Sequence, residues 1–193
     1  MRRLCETVIH DEAQAPPHAL GTCFAYLVEN NILNDLVSLC LPDEPLGILD
    51  EFLRMCTTLV RHIHVPWFLA NEGVAHALLQ LLRSCNKKQQ KPPGLVELVY
   101  ALCARIHQQP DTLRVLVQLG AQLPKERPAD RFPLMTCIVR HITMNGPPGR
   151  HMRTSLVWVM HALLTLGTNH GAAWPALYFD QATCSDLAKS LNE

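Results

Sequence analysis

Apolar residues along this chain recur at three- and four-residue intervals, the period of an α-helix with one buried face. The clearest run is Leu49, Phe52, Leu53, Cys56, Leu59, Val60 and Ile63, a single stripe with Asp50, Glu51, Arg54, Arg61 and His62 on the other side. Asp50 can meet Arg54 one turn on. Pro45 stands where this helix is expected to begin, because first-turn N–H groups have no intrahelical partner and proline costs least there. Ile32-Leu33, Leu36-Val37 and Leu39-Cys40 predict a shorter helix before it, joined through the turn Pro42-Asp43-Glu44. Neither helix could bury its stripe alone, so this hairpin needs others stacked against it.

The same period continues in both directions. Residues 3–12 predict a helix with Leu4, Val8 and Ile9 inward, stopped by Pro16-Pro17, and His18 to Glu29 a second with Leu20, Phe24 and Leu27 on one face. After the break at His64-Val65-Pro66, Asn71-Glu72-Gly73 starts a helix through Val74, Leu78, Leu81 and Leu82 that ends near Cys85. Asn86 to Gly94 reads as an exposed polar linker. Leu95, Leu98, Val99, Leu102 and Ile106 mark the next helix, and Leu113, Leu116, Val117 and Leu119 one that begins at Pro110-Asp111. A second linker covers Gln122 to Arg131, then Leu134, Ile138, Val139 and Ile142 form a helix. Asn145-Gly146-Pro147-Pro148-Gly149 reads as a turn before Arg150 to Leu166, where Met152, Leu156, Val159, Leu163 and Leu166 are in register. Asp180 to Leu191 predicts a last helix.

No stretch alternates with period two for long enough to predict a strand. The expectation is an all-α chain of about nine to ten helices, with hairpins recurring roughly every 35–45 residues as in an irregular armadillo- or HEAT-like α-solenoid. A closed helical bundle would fit the same stripes. Residues 1–193 are taken as one helical-repeat domain.

Composition narrows the function classes. Hydrophobic residues make up 48%, which suits a folded core, and 17 basic against 17 acidic residues leave no basic surface excess of the kind nucleic acid demands. The eight cysteines stand singly, with no CxxC pair, and most fall on apolar stripes; they are expected to be reduced thiols in a cytosolic protein. Glu6, Asp11 and Glu12 interrupt the apolar run that a signal peptide would need after Arg2-Arg3, and no apolar run reaches membrane-spanning length.

Candidate chemistry is sparse. Ten histidines include no HExxH and no two-histidine metal spacing, and His62 and His64 would point to different faces of a helix end. There is no GxSxG, and the Asn145–Gly149 loop lacks the spacing and lysine of a phosphate loop. No catalytic residue, cofactor or metal is therefore expected, and the chain reads as a protein other than an enzyme. Arg83, Lys87, Lys88 and Lys91 form the densest basic run, which reads as a solvated linker more simply than as a membrane or acidic-partner contact. Trp158 falls on the side of its helix away from Met152, Leu156, Val159 and Leu163, with Thr154, His161 and Thr165. Its helix is either covered on two sides or presents an anchor to a partner.

Asn30-Asn31-Ile32-Leu33, then Leu39-Cys40-Leu41-Pro42-Asp43-Glu44-Pro45-Leu46-Gly47, then a helix closing on Leu59-Val60-Arg61, closely resemble the N-terminal part of the Hook-interacting protein family, also known as retinoic-acid-induced-16-like proteins. Leu81 to Cys85, Val99 to Pro110 with its cysteine and basic residue, Leu134 to Leu166, and Ala172 to Leu191 resemble later family segments. Many family members are longer and carry a long insertion where this chain has the linker near residues 120–131, so the chain is expected to be the N-terminal portion of such a domain.

The resemblance implies a non-enzymatic helical scaffold or adaptor. Its partners would be Hook-type dynein adaptors and Fused Toes homologues, linked to a Rab5-type small GTPase on early endosomes for microtubule-based vesicle transport. It would be cytoplasmic and peripheral to endosomes, with no nucleic acid and no transmembrane segment. A generic armadillo-like binding module in another pathway is the alternative. The C-terminal region is rich in large apolar groups, and Trp158, Trp174, Tyr178 and Phe179 are the candidate protein-binding residues.

Overall fold

A computed structural model describes residues 1–16, 19, 21–63, 65, 68–88, 92–122 and 132–170. Among them no strand is present, and the helices are α1 (Arg2–Gln14), α2 (Thr22–Glu29), α3 (Ile32–Cys40), α4 (Ile48–His62), α5 (Glu72–Lys87), α6 (Gly94–Gln108), α7 (Asp111–Gln122), α8 (Pro133–His141) and α9 (Gly146–His170). The helix expected over Asp180 to Leu191 and the linker at 123–131 lie outside the described residues.

Short polar side chains set where several helices start. At the head of α4, the Asp43 carboxylate accepts from the backbone N–H of Gly47 and of Leu49, both at 3.0 Å. These are donors that the first turn cannot pair internally. Gly47, at φ +92°, makes the left-handed turn into the helix. Asp43 and Gly47 together place the start at Ile48, which corrects the expectation that Pro45 opens the helix. The acidic end of α1 serves α2 in the same way: Glu12 accepts from Gly21 N–H at 2.8 Å and Asp11 from Cys23 N–H at 2.7 Å. Asn71 caps α5 by accepting from Val74 N–H at 3.2 Å.

The helices form two rows. In one, α1 lies against α4, α4 against α6, and α6 against α9; in the other, α2 lies against α3, α3 against α5, and α5 against both α7 and α8. The rows meet through the pairs α1–α2, α3–α4, α6–α7 and α8–α9, among others. Between them runs one continuous core, with Phe24, Phe52, Leu53, Leu81, Leu98 and Leu102 almost wholly buried. Each such side chain contributes roughly 1.5–3 kcal/mol by leaving water. Every member of the stripe from Leu49 to Ile63 is buried, and Asp50 meets Arg54 at 3.0 Å as the spacing predicts.

Three other expectations need correction. Asn86 is not part of an exposed linker: it is buried in the last turn of α5, donates to the Pro133 carbonyl at 2.8 Å, and its own carbonyl accepts from Arg140. Its side chain is the tie between α5 and α8, a role that residue type alone does not reveal. Gly146 to Gly149 do not separate two elements; they are the first turn of α9, where Pro147 and Pro148 lack only N–H groups that a helix start leaves unpaired anyway. Leu4 and Leu39 are exposed, because Cys5 and Val8 on α1 and Leu33, Val37 and Cys40 on α3 hold the inward register instead.

Candidate protein-binding surface

On α6 the residues Glu97, Tyr100 and His107 stand three, seven and ten positions apart, which places them along one face. On α9, His151, Trp158 and His161 do the same. The two helices bring these faces together into a line of rings. Tyr100 stacks on His151 with centroids 4.3 Å apart, and lies tilted against Trp158 at 5.2 Å. Trp158 in turn is nearly parallel to His107 at 5.5 Å and 14°, and His107 meets the edge of His161 at 5.5 Å.

Tyr100 and Trp158 are half-buried at the seam, while His107 and His161 stay exposed at its far end. Trp158 therefore does what the two-sided stripe of its helix implies: it packs on the neighbouring helix and keeps part of its ring open to solvent. Aromatic pairs at these separations are worth about 0.5–1.5 kcal/mol beyond the area they bury. A rigid, half-open aromatic of this kind is what interface anchors are made from.

At the near end of the line, Glu97 joins three helices of one row. Its carboxylate accepts from Arg61 of α4 at 2.8 Å and meets His151 Nδ1 of α9 at 3.3 Å. All three side chains are a third to a half exposed, so water screens the pairing and each pair is worth at most about 1 kcal/mol. The arrangement orients His151 over Tyr100 more than it stabilises the fold.

Trp174, Tyr178 and Phe179 lie outside the described residues, as does His64. His62 is exposed and its Nδ1 is 2.8 Å from the Thr58 carbonyl one turn back. Of the basic run, Lys91 is outside the described residues, Lys87 is exposed at the end of α5, and Arg83 is half-buried. Cys137 Sγ comes within 3.8 Å of His141 Nδ1, but both side chains are buried and that nitrogen lies 2.7 Å from the Cys137 carbonyl. A thiol so placed has no room for a substrate beside it.

The described cysteines are thiols and not disulfides, and all but the half-buried Cys23 are buried. Burial pushes Cys103 up to about 12 and Cys85 up to about 11, and raises Cys56 further still. These are packing groups held as neutral thiols. Among the described residues no three His, Cys, Asp or Glu side chains gather as a metal site, and no helix is long and apolar enough to cross a membrane.

Reading from sequence found Trp158 but not its ring partners. Tyr100, His107 and His151 were legible only as members of the polar sides of their helices, and the shared spacing of Tyr100 and His107 was the signal available. The family model described as retinoic acid induced 16-like protein matches residues 23–174, from the start of α2 through the end of α9. No curated protein matches the chain.

Proposed function

Because the chain belongs to the retinoic acid induced 16-like, or Hook-interacting, protein family, we propose that it is a non-enzymatic helical scaffold that works by surface recognition. Its partners are Hook-type dynein adaptors and Fused Toes homologues, and through them a Rab5-type small GTPase, so that it acts in the cytoplasm at the periphery of early endosomes during microtubule-based transport. The two rows of helices are the successive turns of an irregular armadillo- or HEAT-like solenoid. That reading is supported by the order of packing, in which each row grows by adding the next helix to the last. Trp158 at the half-open seam is a protein-binding residue in this reading, and Trp174, Tyr178 and Phe179 are its further candidates by residue type.

The observation that carries this reading is the family match, which spans nearly every described helix and leaves only α1 outside. Affinity capture on the full chain from cytosol tests it. Hook and Fused Toes homologues should be recovered together and be identified by mass spectrometry. Recovery of other proteins in their place would make the chain an armadillo-like module of a different pathway.

A further inference from the structure

One side of α9 is open to solvent. Val157, Met160 and Leu164 are exposed to 65%, 42% and 69%, and their spacing draws a single apolar line along the helix. At about 100° per residue this line lies roughly 130° round from Trp158, so it is turned away from the seam with α6 and from the buried face of Met152, Val159 and Leu163. The turn before α9 adds exposed Met144 at the foot of the helix. Its backbone lies directly against Gly149, and the Ile142 carbonyl of the same turn accepts from Arg153 Nη1 at 2.9 Å.

Cations gather at that end of the line. Arg150 and Arg153 are both exposed. They fall within about 50° of the middle of the line, one to two turns before Val157. No Asp or Glu occurs between Arg131 and Phe179, whereas four arginines do, although the whole chain carries 17 charges of each sign. Glu97, which approaches α9 from α6, is engaged with Arg61 and His151 at the seam. The open face therefore combines an apolar line with a positive end and brings no anion of its own.

We propose that this face docks an acidic amphipathic helix of a partner protein. The incoming helix presents apolar residues at i, i+3 or i+4, and i+7 to Val157, Met160 and Leu164, and places Asp or Glu over Arg150 and Arg153. From Arg150 to Leu164 is about 21 Å, a length that four helical turns span. Charge disfavours two other occupants. A second copy docked through the same face would offer the arginines no acid. A lipid surface is best met by cations along the margins of an apolar line, and here they stand at one end. The inference rests on the reading of the chain as a protein-binding scaffold, but not on which partners it binds.

Selection against the full chain from a displayed library of helical peptides, each about four turns long, tests it. Enriched peptides should carry the apolar spacing with Asp or Glu at one end. In fluorescence anisotropy, Leu164→Asp and, separately, Arg150→Glu should each weaken their binding at least about tenfold, with the helical circular dichroism spectrum unchanged. Arg153 is left in place because it holds the Ile142 carbonyl. Peptides whose acids are exchanged for lysine should prefer the Arg150→Glu chain to the parent. No enriched peptide, peptides without acids, or binding indifferent to both substitutions would overturn the proposal. So would a Leu164→Cys thiol alkylated in the free native chain at least about tenfold more slowly than in the unfolded chain, since the chain itself or a second copy would then cover the line. Capture of Hook and Fused Toes homologues is a separate readout, so the two readings fail independently.

Discussion

Arg105 on α6 donates through Nη2 to the carbonyl of Ile63 at 3.0 Å, so the C-terminal end of α4 is closed by a side chain from its neighbour in the row. The carbonyls at a helix end carry partial negative charge and lack intrahelical donors, which is what a guanidinium satisfies. Burial lowers the pKa of this arginine, so its place in the structure depends on such partners. Arg105 also belongs to the Val99–Pro110 segment by which the chain resembles its family, and the segment's basic residue thus has a physical role in joining α6 to α4.

Arg105→Met keeps the length of the side chain and removes its donors. The expected result is a loss of roughly 1.5–3 kcal/mol, the value of a hydrogen bond to a charged group. Urea unfolding should show a lower midpoint with an unchanged slope. Arg105→Lys should recover part of the loss, since one ammonium can still reach the carbonyl but cannot reproduce the planar fork. An unchanged midpoint for the methionine variant would show that the contact contributes nothing.

Two apolar residues six positions apart should respond very differently to truncation. Phe52 is 1% exposed between the rows, whereas Leu46 is 94% exposed ahead of α4. Phe52→Ala should cost about 3–5 kcal/mol through lost burial and the cavity left behind. Leu46→Ala should stay within about 0.5 kcal/mol. Comparable losses at both positions in thermal or urea unfolding would contradict the placement of α4.

The helices were legible because each carries one stripe. From Leu49 to Ile63 and from Leu95 to Ile106 every expected inward residue is buried. What escaped were roles fixed by a distant residue. Asn86 and Arg105 are polar by type and buried by position, since the carbonyls they serve belong to Pro133 and Ile63, 47 and 42 residues away. Trp158 could be singled out from its place on a second face. Its neighbours Tyr100 and His107 could not, because only the pairing of α6 with α9 brings them to it.

Gly149 and Gly47 separate a steric requirement from a conformational one. A Cβ at Gly149 would stand 1.7 Å from the Met144 carbonyl oxygen, so the first turn of α9 would have to shift. Gly149→Ala should therefore lose about 3 kcal/mol or more. At Gly47 nothing lies within 4 Å of the added carbon, and only the left-handed φ of +92° penalises it. Gly47→Ala should cost roughly 1–2 kcal/mol. Thermal melts that rank the two the other way would be inconsistent with this geometry.

The buried thiols predict a loss of stability on the alkaline side. Burial raises Cys85 to about 11 and Cys103 to about 12, above the 9.0 of a free thiol, so the folded chain holds these protons more tightly than the unfolded chain does. Their contribution is complete below about pH 9 and is lost as pH rises through the folded values. Between pH 9 and 11 each thiol should remove about 1.4 kcal/mol of stability per pH unit. Cys103→Ala should flatten that part of the profile; a slope identical to that of the parent would rule out the thiol as its source.

The central claim is recognition of Hook-type and Fused Toes partners by a preformed helical surface. Titration calorimetry of the purified chain against a purified Fused Toes homologue and a Hook-type adaptor, together and singly, tests it most directly. The account predicts saturable binding of the pair that Trp158→Ala weakens by about tenfold or more, with the helical circular dichroism spectrum unchanged. No heat of binding from a folded, monomeric chain, with either partner or with both, would contradict it.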